Sequence, residues 1–409
     1  MKMFVLPLLL IALFIAHVAT AAIVVPGADG SDGVLHITEN TVIDLSLAVD
    51  GVWDQDNTAN TSKGVYDSEK WAVVFKYSSV TVDAGVTLSF TNHPSRAPLV
   101  WLVSGDVTIL GTVSLNGQDS VNSPAIAGPG PGGFRGGIGY YSVGVIDGAG
   151  FGPGGGQRRA VGGSYGTGSR PYGNPSLIPL IGGSGGAGPD RGYAVGGGGG
   201  GGAILIACAQ TVTINGSISA NGGAGVAYYF SDATGGGSGG GIRVVCASLT
   251  GAGTVKTLAG AGGKNGGAGL GRIRIERAAD DSTIAPIPDP SVVPLTDGDT
   301  ALLWPPAEAP TVKIISIGGE TAPDDPRASF GTQGADVALP EVSTIQVVIE
   351  TVGVEEASQV QVRLTPRDSS NAVFVDAVAG TPVGNVITWT ADIPVGNGYS
   401  AIQAKVVRP

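Results

Sequence analysis

Short segments in which apolar and polar residues alternate recur between residues 22 and 278. The segment Val107–Gly117 (VTILGTVSLNG) aligns without gaps with Val212–Gly222 (VTINGSISANG). Alternation places Val107 and Ile109 on one face of a strand and Thr108 on the other. The glycine inside each segment allows the positive φ that a tight corner requires. The pattern therefore predicts a repeated unit of strand, corner and strand.

Further copies of the unit extend the pattern along the chain. Ile242–Cys246 followed by Leu249–Leu258 is a third copy, and Val80–Leu88 is a looser one. One unit cannot bury its own apolar face, but stacked copies can, each contacting only its neighbours. We therefore expect an all-β chain whose residues 22–278 form a glycine-rich parallel β-helix or a related solenoid. An antiparallel sandwich with long loops is the alternative.

Proline marks a change of character after residue 278. Residues 279–310 are predicted to be a stiff, Pro-rich linker, and their prolines are Pro286, Pro288, Pro290, Pro294, Pro305, Pro306 and Pro310. Residues 311–409 lose the glycine-rich character and read as seven short strands, which predict an immunoglobulin-like or fibronectin-III-like β-sandwich. The seven predicted strands are Val312–Ile317, Ala335–Leu339, Thr344–Thr351, Ser358–Pro366, Ala372–Ala377, Val386–Asp392 and Tyr399–Val407.

The first 21 residues have the pattern of a secretory signal peptide. Lys2 supplies a positive start, Phe4–Ala16 is apolar, and Ala19–Ala21 supplies the small residues that precede cleavage. The apolar run is shorter than the ~20 residues that span a bilayer as a helix. We expect export to the extracellular space, the cell surface or the periplasm, with no transmembrane segment after cleavage.

Glycine dominates the connections between the repeats. The chain has 70 glycines, and 50 of them lie between residues 121 and 270. Two interpretations stay open: flexible linkers, or ordered polyglycine strands with three residues per turn. The net charge is −11 and only 13% of residues are charged, so nucleic acid is excluded as an expected partner because phosphate binding needs clustered Lys and Arg.

Aromatic and arginine side chains are spread through these glycine-rich connections. Tyr and Arg on a background of small residues are typical of binding surfaces. Packing of the aromatic rings over glycine ribbons is the alternative. The candidate ligand-binding residues are Tyr140, Tyr141, Arg158, Arg159, Tyr165, Tyr172, Arg191 and Tyr193.

The two cysteines occupy equivalent positions in two copies of the repeat. If these copies stack as neighbours, Cys208 and Cys246 lie close enough for a disulfide, although two buried thiols are equally compatible with the pattern. Calcium is the only cofactor with candidate ligands, and solvated turns are the alternative interpretation of those residues. The calcium candidates are Asp29, Asp32, Asp54 and Asp56.

No catalytic motif stands out, and no catalytic residue is predicted. Only His36 and His93 follow the predicted signal peptide, too few for a His-rich metal site. The segment Asn92–Arg96 is the densest polar cluster near the core strands. It fits a turn in which proline sets φ, or the edge of a binding site.

Three motifs carry a resemblance to a known group. Asn92–Arg96, Trp101–Gly105 and Gly271–Glu276 resemble sequences in glycine-rich exported proteins of environmental bacteria, planctomycete-like in style. The resemblance implies an exported β-solenoid and transfers no activity. The expected function is therefore a non-enzymatic surface or matrix protein serving adhesion or envelope structure, with polysaccharide or cell-envelope components as partners. A carbohydrate-active protein that binds or cleaves polysaccharide on the solenoid face is the alternative.

Overall fold

The computed structural model of the chain describes residues 22–55, 62–120, 126–139, 148–157, 161–189, 195–226, 234–262, 267–328, 334–367 and 372–407. These residues form an all-β fold, as predicted. Among them a single 3-10 turn, Leu45–Leu47, is helical. The predicted signal peptide lies outside the described residues.

Sixteen strands make two large sheets in the first part of the chain. One sheet has the order β16-β14-β12-β10-β7-β5-β4-β3, with β1 beside β5 and β8 beside both β5 and β10; the other has the order β15-β13-β11-β9-β6-β2. The strands are β1 (Gly33–Ile37), β2 (Thr41–Asp44), β3 (Val49–Asp50), β4 (Val65–Asp67), β5 (Ala72–Val82), β6 (Thr87–Thr91), β7 (Leu99–Val103), β8 (Val107–Ile109), β9 (Thr112–Ser114), β10 (Ala203–Ile214), β11 (Ser217–Ser219), β12 (Gly241–Gly251), β13 (Thr254–Lys256), β14 (Arg272–Ser282), β15 (Ala285–Ile287) and β16 (Ser291–Pro294).

The pairing register reproduces the alignment of the repeats. Val107 lies opposite Val212, and Thr112 lies opposite Ser217. Val212 in turn lies opposite Leu249 of the third copy. Among the described residues, every strand pair in these two sheets is parallel except β4 with β5. The copies therefore stack strand on strand, which an antiparallel sandwich would not do.

The larger sheet is buried on both faces. Alternate residues of β10, such as Ile204 and Ile206, join a cluster between the two sheets, while Leu205 and Ala207 join a second cluster on the opposite face. The second cluster also contains Ile23 from the start of the described chain and Leu303 from its later part. Continuous apolar runs in β7 and β10 are explained by this double burial.

Much of the segment predicted to be a linker belongs to the same packing. β14 runs on to Ser282, β15 pairs with β13, and β16 pairs with β14. Ala301 and Leu303 are buried against the larger sheet. Proline occurs here at the ends and edges of strands, where a missing N–H is tolerated. We refer to β1–β16 and the glycine-rich connections between them as the body.

The glycine-rich connections are ordered where the structure describes them. In the segment 196–202, Gly197 and Gly200 donate to the carbonyls of Gly137 and Phe134. The next residues, Gly198 and Gly201, donate to Gly235 and Ser238. Successive residues thus bond to different neighbours and every third residue returns to the same one, which is the geometry of a polyglycine strand with three residues per turn.

The segment 196–202 lies at the centre of six neighbouring segments. Gly199 and Gly202 donate to Gln118 and Leu115, which completes three hydrogen-bonded neighbours. The α-carbons face three more neighbours so closely that an added Cβ would overlap backbone atoms. We call this array the glycine bundle; it consists of the central segment 196–202 and its six neighbours, 115–118, 128–131, 134–137, 183–186, 220–223 and 235–240. The ordered interpretation of the connections is the one that the structure supports.

Residues 311–407, which we call the C-terminal module, form two antiparallel sheets around a separate core. The sheets have the orders β18-β17-β19-β23-β22 and β21-β20-β24. Trp389 lies in the core and donates its indole N–H to Thr351 Oγ1 at 2.8 Å. The strands are β17 (Thr311–Ile317), β18 (Glu320–Thr321), β19 (Thr344–Val352), β20 (Gln359–Pro366), β21 (Val373–Asp376), β22 (Val378–Ala379), β23 (Val386–Pro394) and β24 (Ser400–Val407).

Six of the seven strands predicted in this module have counterparts in the structure. The prediction of a strand at Ala335–Leu339 is wrong, because these residues form bends and irregular chain. Asp336 accepts the backbone amides of Arg327 and Ala328 there, and Leu339 packs against the module core. The alternation in this segment therefore belongs to a loop in which Leu339 packs against the core while neighbouring polar residues face solvent.

Candidate partner-binding cleft

The C-terminal module is joined to the body by a buried arginine. Arg363 on β20 donates to the carbonyl oxygens of Gly150 at 2.6 Å and of Gly152. The loop that carries these carbonyls is tied to the glycine bundle through the bond from Gly185 N to Phe151 O. Glycine makes this contact feasible, since a Cβ on Gly155 would lie 2.8 Å from the guanidinium.

The environment of Arg363 is unusual for a cation. Its side chain is only 4% exposed, and burial together with the nearby charge of Arg170 lowers its pKa to about 10. The ring of Phe374 lies 5.5 Å from the Arg363 guanidinium and 4.1 Å from that of Arg170. Carbonyl dipoles and an aromatic face therefore replace the carboxylate that a buried arginine usually has.

A second polar contact lies at the other side of the junction. Arg327 bonds to Asp325 at 2.6 Å and to Asp50 of the body at 2.7 Å. Tyr66 donates its hydroxyl to Asp325 at 2.7 Å. The hydrogen bonds of Arg327 to the two carboxylates raise its pKa above the ordinary value. The ion pair between Arg327 and Asp50 is part-exposed, so we expect it to orient the module more than to stabilise it.

Between these two contacts the module and the body enclose a cleft of about 1130 Å³. The body contributes Phe134, Arg135 and Phe151, which lie in or beside the glycine bundle. The module contributes the apolar faces of β17 and β24. The Arg135 guanidinium lies 3.9 Å from the ring centroid of Phe151. This volume is slightly above the roughly 300–1,000 Å³ of ordinary small-molecule pockets.

The polar segment Asn92–Arg96 forms a turn at the edge of this cleft. Ser95 bonds to His93 through its hydroxyl at 2.7 Å and through its amide at 3.2 Å. Arg96 follows with a φ of +58° and donates its amide to the carbonyl of His93. The turn interpretation of this segment is confirmed, and the turn aims the Arg96 side chain at the cleft.

His93 makes the stability of this junction sensitive to acid. Its ring stacks on Tyr66 at 4.0 Å, and burial and the Arg327 charge lower its pKa below 6.5. The unfolded chain therefore binds a proton more readily than the folded one, so stability is full above about pH 6.5 and falls as pH decreases. We expect His93→Asn to flatten this fall in chemical denaturation curves.

The exposed His36 provides the control for that measurement. His36→Asn removes a histidine that lies at the surface beside Asp83. The His36→Asn variant should keep the acid sensitivity of the parent chain. Equal slopes of stability against pH in the parent and the His93→Asn variant would contradict the assignment.

The described members of the predicted ligand-binding set serve packing. Tyr165 is fully buried, and its ring lies 4.8 Å from that of Tyr172. Tyr172 donates its hydroxyl to Gly182 O at 2.6 Å. Tyr165 therefore offers no surface to a ligand in this structure. The remaining candidates, Tyr140, Tyr141, Arg158, Arg159, Arg191 and Tyr193, lie outside the described residues.

Two of the four predicted calcium candidates, Asp29 and Asp32, are engaged by protein donors. Asp29 pairs with the ammonium group of the buried Lys76 at 3.0 Å. Asp32 accepts the backbone amides of Lys76 and Ser62. Asp54 is exposed, and Asp56 lies outside the described residues. Within the described part of the chain no group of three or more His, Cys, Asp or Glu side chains is placed to hold a metal ion.

The two cysteines are register neighbours, as the repeat alignment predicted. Cys208 lies opposite Cys246, and both are buried free thiols rather than a disulfide. The Cys208 thiol lies 3.0 Å from the carbonyl of Gly105 as a hydrogen-bond donor. Burial raises the pKa of Cys208 to about 12 and raises that of Cys246 as well.

The thiol state of the cysteines is directly measurable. We expect both to resist a disulfide-exchange reagent in the native chain, because the reactive thiolate is suppressed and inaccessible. Both should react after denaturation without reductant. An absence of thiol in the denatured chain would show that a disulfide had formed.

Comparisons with protein-family models, with curated proteins and with solved structures give no match for this chain. Within the described residues no helix has the length and apolar character needed to cross a membrane. The function must therefore be argued from the residues themselves.

The residues that define the cleft differ from those that sequence reasoning selected. Arg363 and the edge of β24 were not singled out, because an arginine on an alternating strand is typically solvent-exposed. One signal was present: Arg96 and Arg135 lie in segments already marked as unusual, the polar turn and the first glycine-rich stretch.

Proposed function

We propose that this chain is an exported, non-enzymatic protein of the cell surface or extracellular matrix, serving adhesion or envelope structure. In this proposal the body is a β-solenoid whose stacked parallel turns and glycine bundle form a rigid support. The C-terminal module is an immunoglobulin-like sandwich displayed on that support.

The observation that carries the proposal is the seating of Arg363 in the carbonyl groups of the glycine-rich loop. A module on a flexible tether would not bury a cation against the body. Backbone hydrogen bonds hold the glycine bundle in three directions, so its order depends on no bound ligand. A rigid body with a fixed module suits presentation of a surface. The stacking of parallel repeats in register supports the solenoid assignment.

The proposal is tested by locating the chain and by following what it does to envelope material. The full-length chain should leave the cytoplasm of a bacterial host, and a variant lacking residues 1–21 should remain there. Purified chain, incubated with cell envelopes and with soluble polysaccharides, should be retained saturably without release of reducing-end or unsaturated sugars. Sugar release would overturn the non-enzymatic function in favour of a carbohydrate-active one, and cytoplasmic retention of the full-length chain would overturn export.

A further inference from the structure

The strand β24 is the open edge of the three-stranded sheet in the C-terminal module. Its only partner among the described strands is β20. The pair Arg367 and Tyr399 extends the ladder with a backbone bond from Arg367 N to Tyr399 O. Bonded pairs alternate in an antiparallel ladder, so Ala401, Gln403 and Lys405 bond to β20. The backbone groups of the alternate residues Ile402, Ala404 and Val406 therefore point away from β20.

The residues of β24 whose backbone groups point away from β20 also carry apolar side chains that are only partly buried. Ile402, Ala404 and Val406 pack on the module core but are only partly buried, and Ile314 and Ile317 of β17 behave in the same way. Residues well inside the same core are covered: Val347 and Ile349 are 0% exposed. The cleft opens over the half-covered residues of β17 and β24. The module core is therefore incompletely covered along the edge formed by β17 and β24. The same edge carries the backbone groups of β24 that have no strand partner among the described residues.

A positive charge faces the same space from the body. Arg96 lines the cleft, and its side chain forms no hydrogen bond or ion pair within the described chain; Asp336, another lining residue, acts on it only as a nearby charge. Other charges of the cleft are engaged: Lys313 pairs with Asp324 at 2.6 Å, and Arg135 lies over Phe151. A partly buried guanidinium that has no carboxylate paired directly with it favours a carboxylate on whatever enters the cleft.

We propose that the edge of β24 accepts an extended peptide segment of a partner protein as an added strand. Alternate apolar side chains of that segment cover Ile402, Ala404 and Ile314, and its carboxylate meets Arg96. Main-chain bonds supply affinity and the alternate side chains supply specificity in such strand addition. The body also lines the cleft, so we expect the occupant to be a single extended chain and not the folded sheet edge of a second copy. The inference names a kind of partner and goes beyond the proposed function.

Synthetic peptides of nine residues test the proposal on the full chain. The probe alternates valine with polar residues and carries glutamate near one end; a scrambled peptide of equal composition breaks the alternation. Fluorescence anisotropy should show that the alternating peptide binds. The scrambled peptide should bind with an affinity at least about tenfold lower. Arg96→Gln should weaken binding of the alternating peptide by about tenfold, the magnitude of a lost charged hydrogen bond.

Two further arms address the strand edge itself. Ala404→Pro removes an outward N–H while leaving the ladder to β20, a position at which edge strands tolerate proline. This variant should abolish binding, whereas the matched Ala404→Val variant, which keeps the N–H, should retain it. If Ala404→Pro fails to fold, N-methylation of the peptide on alternate residues tests the same bonds with the parent chain. One of the two methylation registers should then abolish binding.

Three outcomes would overturn the proposal. Equal binding of the alternating and scrambled peptides would show that no strand is added. Self-association of the chain that Ala404→Pro abolishes would identify a second copy as the occupant. Binding of polysaccharide in the cleft, competed by neither peptide and lost in Arg96→Gln, would assign the cleft to a glycan. If no peptide adds to β24, the separate test of export and envelope retention still decides the proposed function.

Discussion

Replacing Gly200 with alanine should unfold the glycine bundle and destabilise the chain by at least about 3 kcal/mol. A Cβ at this position would lie under 3.0 Å from the carbonyl of Gly183, a backbone atom that a rotamer change cannot move. Gly183 is itself fixed, since its amide donates to Gly201 O at 2.8 Å. The strain therefore spreads through the central segment and its neighbours instead of being absorbed locally.

The size of this effect follows from the position of Gly200 in the bundle. Its amide donates to Phe134 O and its carbonyl accepts the amide of Gly130. Displacing the segment 196–202 to make room for a methyl group breaks bonds to several neighbours at once. Each buried backbone group left without a partner costs ~1–3 kcal/mol. Thermal and urea unfolding of the purified variant would measure the loss.

Gly267→Ala is the matched control, because a Cβ there would meet nothing within 4 Å. The change should lie within about 0.5 kcal/mol of the parent, or stabilise slightly by restricting the unfolded chain. If both alanine variants were equally stable, the glycine-rich connections would be flexible linkers and the bundle would not form in solution.

The strand pattern of the body could be predicted because its side chains carry the information. Val107 and Val212 occupy matching positions in two gap-free segments, and stacking them buries matching apolar faces. Cys208 and Cys246 were placed as neighbours by the same reasoning. In each case a side chain of distinct character marks the face that it occupies, and the period of two fixes the register.

The partners of the glycine segments could not be predicted in the same way. Each glycine presents the same backbone and no side chain, so nothing in the sequence distinguishes Gly197 as a neighbour of Gly137 from any other pairing. The aromatic residues among the glycines were ambiguous for a related reason. Tyr165 can cover a glycine ribbon or meet a ligand with the same ring, and only the surrounding packing shows that it is buried.

The cleft depends on a contact between distant parts of the chain. Arg363 is more than two hundred residues from Gly150, and its strand alternates in the ordinary way. The alternation of Gln361, Arg363 and Thr365 predicts a polar face, yet Thr365 is fully buried. The sequence marks a face as polar but does not say that glycine carbonyls will cover it.

Replacing Arg363 with methionine should detach the C-terminal module from the body. The substitution keeps an unbranched apolar side chain but removes the donors to the carbonyls of Gly150 and Gly152. Two opposing terms decide the result. The lowered pKa of Arg363, about 10 against an ordinary 12.5, corresponds to a burial cost on the order of 3 kcal/mol for the charge. Removing the charge relieves that cost.

The hydrogen bonds outweigh the relief. Bonds from a charged donor contribute ~1.5–3 kcal/mol each, and two buried carbonyls would be left without a partner. Contact with the ring of Phe374 adds about 1 kcal/mol to the arginine. The balance favours arginine by about 2 kcal/mol. Arg363→Met should therefore lose this stability at the junction and not in the core of the body or of the module.

A junction weakened by this amount should be visible as a change in cooperativity. The parent chain should show coupled unfolding of body and module, and Arg363→Met should separate the module's transition and admit protease cleavage near the start of β17. Lys313→Met is the control, because it removes an exposed ion pair on the same module, which is worth little. If Arg363→Met and Lys313→Met gave the same single transition as the parent, the module would be held by other contacts. If the transitions separated only for Arg363→Met, the buried arginine would be the group that fixes the module and, with it, the walls of the cleft.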